Sequence, residues 1–345
     1  MDRGDPQISL IWLTRAALIV LALVALFLLA WRLSAVVLLF FGTAVVAAIL
    51  LSAASPLRRF TPLGPKASLT IAGLAIAAAI AGFLYFLGSR IAAEVTTLAQ
   101  ETPKMLNDLG SRFGVEDLWS QAADFVRSGW LGDVFGYVPN VLSGVTLLIL
   151  VVFAGVFLAS APEMYREGVA KLVPGMHRDK ARRVLNHSGR ALQLWLVGKL
   201  ISMVVVGAAT TTGLLLLGVP NAVGLGVIAG LFEFVPFVGP LLSFIPAGLV
   251  ALSQGGASIW WVLGLYVLIQ QLESNLLVPL IQERTVDLPP VLGMFSIVAM
   301  GTLFGPLGMV LGVPVTIVAM VAVKELYLRE TLGEEVDVPG ENKGD

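Results

Sequence analysis

LGVPNAVGLGVIAGLFEFVPFVGPLLSFIPAGLVAL, Leu217–Leu252, and QQLESNLLVPLIQER, Gln270–Arg284, decide how this chain is read. Between Lys199 and Arg284 there is no Lys or Arg, yet Glu233 and Glu273 stand among long apolar runs, with Glu283 at the edge. A carboxylate at the centre of a bilayer costs about 2.5–3.5 kcal/mol on insertion scales. Each acid therefore needs water, a proton, a cation, or an Arg from elsewhere in the chain. Glycines and prolines crowd the same runs and point to broken helices, which membranes tolerate only where they are buried in protein or line a cavity. An acid beside a broken helix at membrane depth is the pattern of a transport site.

Composition agrees. Charged residues are 13% of the 345, about half the usual share, and the mean hydropathy is +0.89. The formal net charge of −1 gives no electrostatic footing for nucleic acid. With no cysteine, disulfides, thiolate metal sites and thiol catalysis are excluded. His177 and His187 lie in a basic polar segment and read as part of a solvated face rather than a metal site. No G-x-x-x-x-G-K-[ST] or H-E-x-x-H occurs, so no P-loop motor or metalloprotease of that type is encoded. The chain reads as a non-enzyme with no cofactor beyond a possible H+ or Na+ coupling ion.

Outward from the centre, the chain divides into blocks. Residues 1–88 hold three expected spans, Ala16–Trp31 (a retained span, since Trp31-Arg32 is a poor cleavage site), Leu33–Ala54 and Ala67–Gly88. The connector Ser55–Lys66 carries Arg58, Arg59 and Lys66 without an acid. Residues 89–139 are acidic, with Glu94, Glu101, Asp108, Glu116, Asp117, Asp124 and Asp133, and read as amphipathic helices outside the cytoplasm. Residues 140–161 span back. Pro162–Lys199 is strongly basic, with Arg166, Lys171, Arg178, Lys180, Arg182, Arg183, Arg190 and Lys199, and residues 162–190 form a cytoplasmic helical segment. Because cytoplasmic loops are enriched in Lys and Arg, both termini are expected in the cytoplasm. Residues 191–328 form the transport half. Residues 329–345 are a cytoplasmic acidic tail, with Thr331–Asp345 expected to be disordered.

The transport half reads as two similar parts. A span ending at Leu217 precedes the broken unit Pro220–Leu252, interrupted at Pro236–Pro240; a span from Ile259 to about Ile281 precedes Pro289–Val323, interrupted at Gly305-Pro306. Both breaks read Gly-Pro-Leu, and Pro246 and Pro314 follow at similar distances. If each unit is a re-entrant hairpin, the pair forms an inverted repeat suited to alternating access; the alternative is an ordinary kinked span at each place. The fold class is therefore all-α and polytopic, with about eight spans or hairpins. Gly226-x-x-x-Gly230, Gly301-x-x-x-Gly305 and Gly308-x-x-x-Gly312 suit close helix packing.

The candidate substrate or ion residues are Glu233, Gln270, Gln271, Glu273 and Asn275. Gln270 and Glu273 share a helical face. The candidate hinges are Pro220, Pro236, Gly239, Pro240, Pro279, Gly305, Pro306 and Pro314. Each acid also has a purely structural reading: Glu233 capping the break before Pro236, and Glu273 sitting at the interface of a shorter helix.

Taken in order, Gly218-Val219-Pro220, Ala229-Gly230-Leu231-x-Glu233-x-x-Pro236-x-x-Gly239-Pro240, Gln271-x-Glu273-x-Asn275-x-x-x-Pro279, Phe304-Gly305-x-x-Gly308 and Pro314 resemble the autoinducer-2 exporter family, the PerM-like permeases. The resemblance implies a multi-pass protein of the bacterial inner membrane that forms homo-oligomers and exports a small signalling molecule. It also implies an elevator-like motion and, for some members, sodium/proton antiport. The expectation is a secondary transporter exporting a small polar solute, with ion coupling. Its rivals are a monovalent cation (Na+ or Li+)/proton antiporter and a non-transporting membrane scaffold. The expected partners are that solute or cation, the lipid bilayer and further copies of the chain.

Overall fold

The computed structural model describes residues 6–62, 64–76, 78, 141–253, 258–282, 286 and 288–341, and every secondary-structure element among them is helical. The acidic segment 89–139 and the end of the third expected span lie outside the described residues. Among the described residues four helices are long and apolar enough to cross a membrane, or five if one bent pair is a single span. Contacts divide the chain into two units, Met1–Gly42 and Thr43–Asp345.

Helix α1, Pro6–Phe60, runs unbroken through both Ala16–Trp31 and Leu33–Ala54, correcting the division into two spans. The junction Trp31-Arg32-Leu33 holds a charge but neither Gly nor Pro, and Arg is a good helix former. Its candidate span is Trp31–Ser55. The end of α1 packs through Ala47 and Leu50 against Leu69 of α2, Pro65–Ile76, and Ala159 of α3, Val141–Ser160. Pro162 cannot continue α3 because it lacks an N–H and would clash with the preceding turn. It instead opens α4, Pro162–Lys171, and the chain bends by 92°.

The remaining helices are organised around α5, Arg178–Leu216. Gly218 and Asn221, at φ 70° and 55°, turn the chain into α6, Ala222–Phe232. The two helices meet nearly backbone to backbone: a Cβ on Gly207 would lie 3.2 Å from the Gly226 carbonyl oxygen, and one on Gly230 would lie 2.6 Å from that of Met203. Those pairings make α6 antiparallel to α5. After α6 the chain reverses through Pro236 and Phe237 (φ 66°) into α7, Val238–Ser253. Ala222 and Leu225 of α6 share a buried cluster with Ala247, Val250 and Ala251 of α7, so α6 and α7 form a helical hairpin. An 11-residue helix rises only about 16 Å, half the ~30 Å hydrocarbon core.

Helix α8, Ser258–Leu272, returns antiparallel to α5, with Leu265 on Gly213 and Glu273 at Ser202. It passes into a π turn, Glu273–Leu277, in which the Val278 N–H reaches the Glu273 carbonyl. Pro279 supplies the cause, since its ring conflicts with the carbonyl four residues back and a wider turn relieves the clash. A short helix α9, Val278–Gln282, contains Pro279.

Helix α10, Pro290–Ala322, is folded in two at Gly305, whose φ of 64° and ψ of −150° are open to glycine. A Cβ on Gly312 would lie 2.9 Å from the Ser296 carbonyl oxygen, and one on Gly301 2.7 Å from Met309. Residues 290–304 and 306–322 are thus two limbs lying against each other, with Gly305-Pro306 at the tip. Pro290–Arg329 is long and apolar enough for a single span, but these contacts make it a hairpin. The second limb runs antiparallel to α5: Val313 shares a cavity with Lys199, and Glu325 meets Arg183. The α6–α7 hairpin therefore opens toward the Leu217 end of α5, and the α10 hairpin toward its Arg178 end.

The expectation of a disordered tail is corrected up to Glu341. Beyond a π turn, Val323–Arg329, the chain folds back on the base of α5. Val338 is buried, and Gly340 sits on the backbone of His187 and Ala191. Glu341 accepts two bonds from Arg329, at 2.9 and 2.7 Å. Glu330 pairs with Lys180 at 2.5 Å and with Arg183. Fully buried Glu325 receives Arg183 at 2.9 Å and Arg329 at 3.2 Å, with His187 Nδ1 3.4 Å away. Of the tail's acids, Glu330 is matched by the distant Lys180 and Arg183 and Glu341 by Arg329, pairings that composition within the tail does not reveal. His187 is correspondingly packed at this joint rather than on a solvated face.

Candidate functional site

Trp195, Lys199 and Ser202 follow at helical spacing on α5 and face one cavity of about 410 Å³. The tip of the first hairpin closes it with Glu233, Pro236 and Phe237; α8 and the π turn add Gln270, Glu273 and Ser274; Pro290, Gly293 and Val313 come from the two limbs of α10. The cavity lies where both hairpins meet α5.

Lys199 Nζ donates to Glu233 Oε1 at 2.6 Å, and the two side chains are 9% and 3% exposed. This corrects the sequence reading, which counts Lys199 with the basic cytoplasmic run and leaves the acids without a nearby cation. Lys199 lies inside the apolar run Leu194–Ala209, a signal that was available. Thirty-four residues separate it from Glu233, and only the α5–α6 turn brings them together.

Glu273 is buried at the start of the π turn. Its Oε1 accepts from Ser202 Oγ at 3.0 Å and its Oε2 from Gln270 Nε2 at 3.1 Å. Glu233 Oε2 is buried with no hydrogen-bond partner among the described residues. On its other side lies a space of about 10 Å³, bordered by Thr210, Ser243, Tyr266 and Gln270, about the size of one water. Tyr266 donates to the Ser243 carbonyl at 3.2 Å and stacks edge-on against Phe244 at 5.4 Å. Trp195 meets Phe234 edge-on at 5.9 Å, backing the hairpin tip.

The structure brings Glu233, Gln270 and Glu273 together and leaves Gln271 and Asn275 out. Those two are exposed and bonded to each other, Asn275 Nδ2 to Gln271 Oε1, at 3.0 Å. Of the proposed hinges, Pro236 lines the cavity and Pro240 the smaller space. Gly239 lies so close to the Phe232 carbonyl that a Cβ would collide with it. Pro220 lies in the α5–α6 turn, Pro279 in α9, Gly305 and Pro306 at the second tip, and Pro314 inside the second limb. Lys199, Ser202 and Trp195 are the additions that sequence reading missed. Among the described residues no group of three or more His, Asp or Glu is placed to hold a metal ion.

The cluster therefore holds two carboxylates against one ammonium, with hydroxyl and amide groups around them. In a low-dielectric setting the second carboxylate favours one further positive charge, either a proton or a cation. Lys199 and Gln270 keep N–H donors for a polar guest, while Ser202 and Ser274, whose O–H groups are donated to Glu273 and to the Gln270 carbonyl, offer acceptor oxygens.

Apolar helices long enough to cross a bilayer, arranged with two broken hairpins around a buried charged cavity, are the architecture of a membrane permease. The chain belongs to the AI-2E family of transporters, whose family pattern it matches over residues 18–328. It is 30% identical to YueF of Bacillus subtilis over 186 residues, 54% of this chain and 49% of YueF. It is 31% identical to PerM of Escherichia coli K12 over 169 residues, 48% of each chain. The AI-2 transport protein TqsA of Escherichia coli K12 is 27% identical over 254 residues, 70% of this chain and 72% of TqsA. YueF and PerM carry provisional names, as a transport protein and a permease. The chain spans about half the length of those two curated relatives.

Proposed function

We propose that this chain is a secondary transporter that exports a small polar solute of the autoinducer-2 kind, with a proton or monovalent cation moving in exchange. The observation that carries the reading is the buried cavity lined by the Lys199–Glu233 pair and by a second buried carboxylate, Glu273. Its volume suits a solute of a few carbons, and its donors suit hydroxyl groups. In this reading the two hairpins enter the bilayer from opposite faces as re-entrant elements of an inverted repeat, and residues 191–328 move against a scaffold formed by the amino-terminal spans. The protein works as a homo-oligomer in the bacterial inner membrane, with the 162–190 segment and the tail in the cytoplasm.

A second reading, cation/proton antiport, draws support from the unpartnered Glu233 oxygen and from a space sized for one small occupant that Glu233 borders. Flux in proteoliposomes containing only this protein tests both. Autoinducer-like polyol efflux driven by an imposed ion gradient is the expected result. Na+ or Li+ exchange for protons without polyol movement would support the second reading. No flux of either kind, from correctly inserted protein, would overturn transport.

A further inference from the structure

The corner between α3 and α5 carries a surface that the transport site does not use. α4 leaves α3 at 92°. If α3 crosses the bilayer, α4 therefore lies along its surface. Met164, Gly168 and Leu172 follow one another at four-residue spacing, so they share one side of α4 and its carboxy-terminal extension. Met164 is 62% exposed and Leu172 85%, and Met176, in the short 3-10 turn Gly175–His177 beyond, is 84% exposed. The opposite side faces inward: Ala170 is buried, and Glu167 is tied to Arg182 of α5 by bonds of 3.0 and 2.9 Å. Three large, flexible apolar side chains in water at one corner are costly to leave uncovered.

The charge around them selects the cover. Lys171 precedes Leu172, and Arg178 follows Met176 by two residues; both are exposed and neither makes an ion pair with a described acid. Arg178 instead donates to the Val173 carbonyl at 3.3 Å. Other bases in this region are engaged: Arg166 with Glu163, Lys180 with Glu330, Arg182 with Glu167 and Asp179. An apolar stripe flanked by exposed cations that are not ion-paired to a described acid is the make-up of a helix lying in the headgroup region of an anionic membrane.

We propose that α4 and the turn after it form an interfacial foot. It sinks Met164, Leu172 and Met176 into the cytoplasmic leaflet while Lys171 and Arg178 hold anionic lipid headgroups. The foot joins α5 directly and through the Glu167–Arg182 pair, so lipid charge bears on the helix that carries Lys199.

The chain has no cysteine, so single cysteines can be labelled with an environment-sensitive dye in the full-length protein. Leu172→Cys and Met176→Cys test the stripe. Glu163→Cys, 78% exposed at its side chain, is the control. In nanodiscs of phosphatidylcholine with phosphatidylglycerol, dyes at 172 and 176 should be quenched by headgroup-proximal brominated lipid and shielded from aqueous iodide, with 163 showing the reverse. Neutralising Lys171 or Arg178 to Gln should weaken the shielding by about fivefold in partition for each cation removed, and high salt should do the same. Equal iodide access at 172, 176 and 163 would overturn the proposal. So would equal shielding in pure phosphatidylcholine, which removes the role of lipid charge, and so would efficient disulfide crosslinking of the Leu172→Cys protein to itself, which assigns the face to another copy of the chain.

Discussion

Replacing Lys199 with Met removes the only ammonium among the described residues that reaches Glu233, while keeping the length of an apolar stem. At 2.6 Å and nearly complete burial, the pair is far from the exposed case, in which such contacts contribute roughly 0–1 kcal/mol. Two unit charges 4 Å apart attract by about 4 kcal/mol at an effective dielectric constant of 20. Removing one partner of a buried pair typically costs about 3–5 kcal/mol, because the other charge is left uncompensated. Lys199→Met and Glu233→Gln are therefore each expected to destabilise the protein within that range. The double variant should lie close to wild type, since replacing both partners of a buried pair is often neutral. The assay is reversible unfolding in mixed micelles with increasing denaturing detergent, read as a double-mutant cycle. With a double variant near wild type, the expected coupling energy is the sum of the two single costs, about 6 kcal/mol or more. Single costs near 1 kcal/mol that add in the double variant would refute the reasoning, because they would mean that water reaches the pair.

Three further outcomes are expected. Glu273→Gln keeps the shape and the bonds to Ser202 and Gln270 within reach, so it should insert and assemble normally yet lose ion-coupled flux; wild-type flux with an unchanged pH profile would remove Glu273 from the mechanism. Gly230→Leu forces a side chain into the 2.6 Å approach to the Met203 carbonyl and should destabilise by at least the ~1–3 kcal/mol of an overpacked core, measured by the same unfolding assay. The Arg329 guanidinium holds the Glu341 carboxyl below the usual 4.5 of a free glutamate. Its contribution to tail docking should therefore be fully present above that value and be lost as pH falls through the lower folded one. A dye on Pro339→Cys should report a docked tail at pH 7 and 5 and release only in stronger acid, and release between pH 7 and 5 would contradict it.

The all-helical fold was legible because the apolar runs are long and the glycines and prolines punctuate them. Gly305-Pro306 marks a place where a helix must reverse, and the contacts of Gly301 and Gly312 account for their small size. Gln270 and Glu273 were legible as a pair because three-residue spacing shares a face. The same rule separates Gln271 and Asn275, four residues apart and bonded to each other, from that face. Lys199 was missed because a positive charge near a basic loop reads as part of that loop, and its partner is distant in sequence. The long first helix was missed because Arg32 looked like a boundary although nothing there breaks a helix. Tail docking depends on ion pairs more than 140 residues apart, such as Arg183 with Glu330, which no local pattern encodes.

The joint at Glu325 has a mechanical consequence. The second limb of α10 is bolted to α5 at its base, where Arg183 and Arg329 grip one buried carboxylate, while Gly305 lies at the free end. A limb held this way behaves as a lever with its fulcrum at Glu325. At 1.5 Å per residue, Val313 stands about 18 Å from the fulcrum and Gly305 about 30 Å. A tilt of about 10° would therefore carry the cavity wall roughly 3 Å and the tip roughly 5 Å while barely disturbing the base. Spin-label distances from α5 should change in that graded order along the limb, whereas an equal change at all three positions would mean that the fulcrum itself slides.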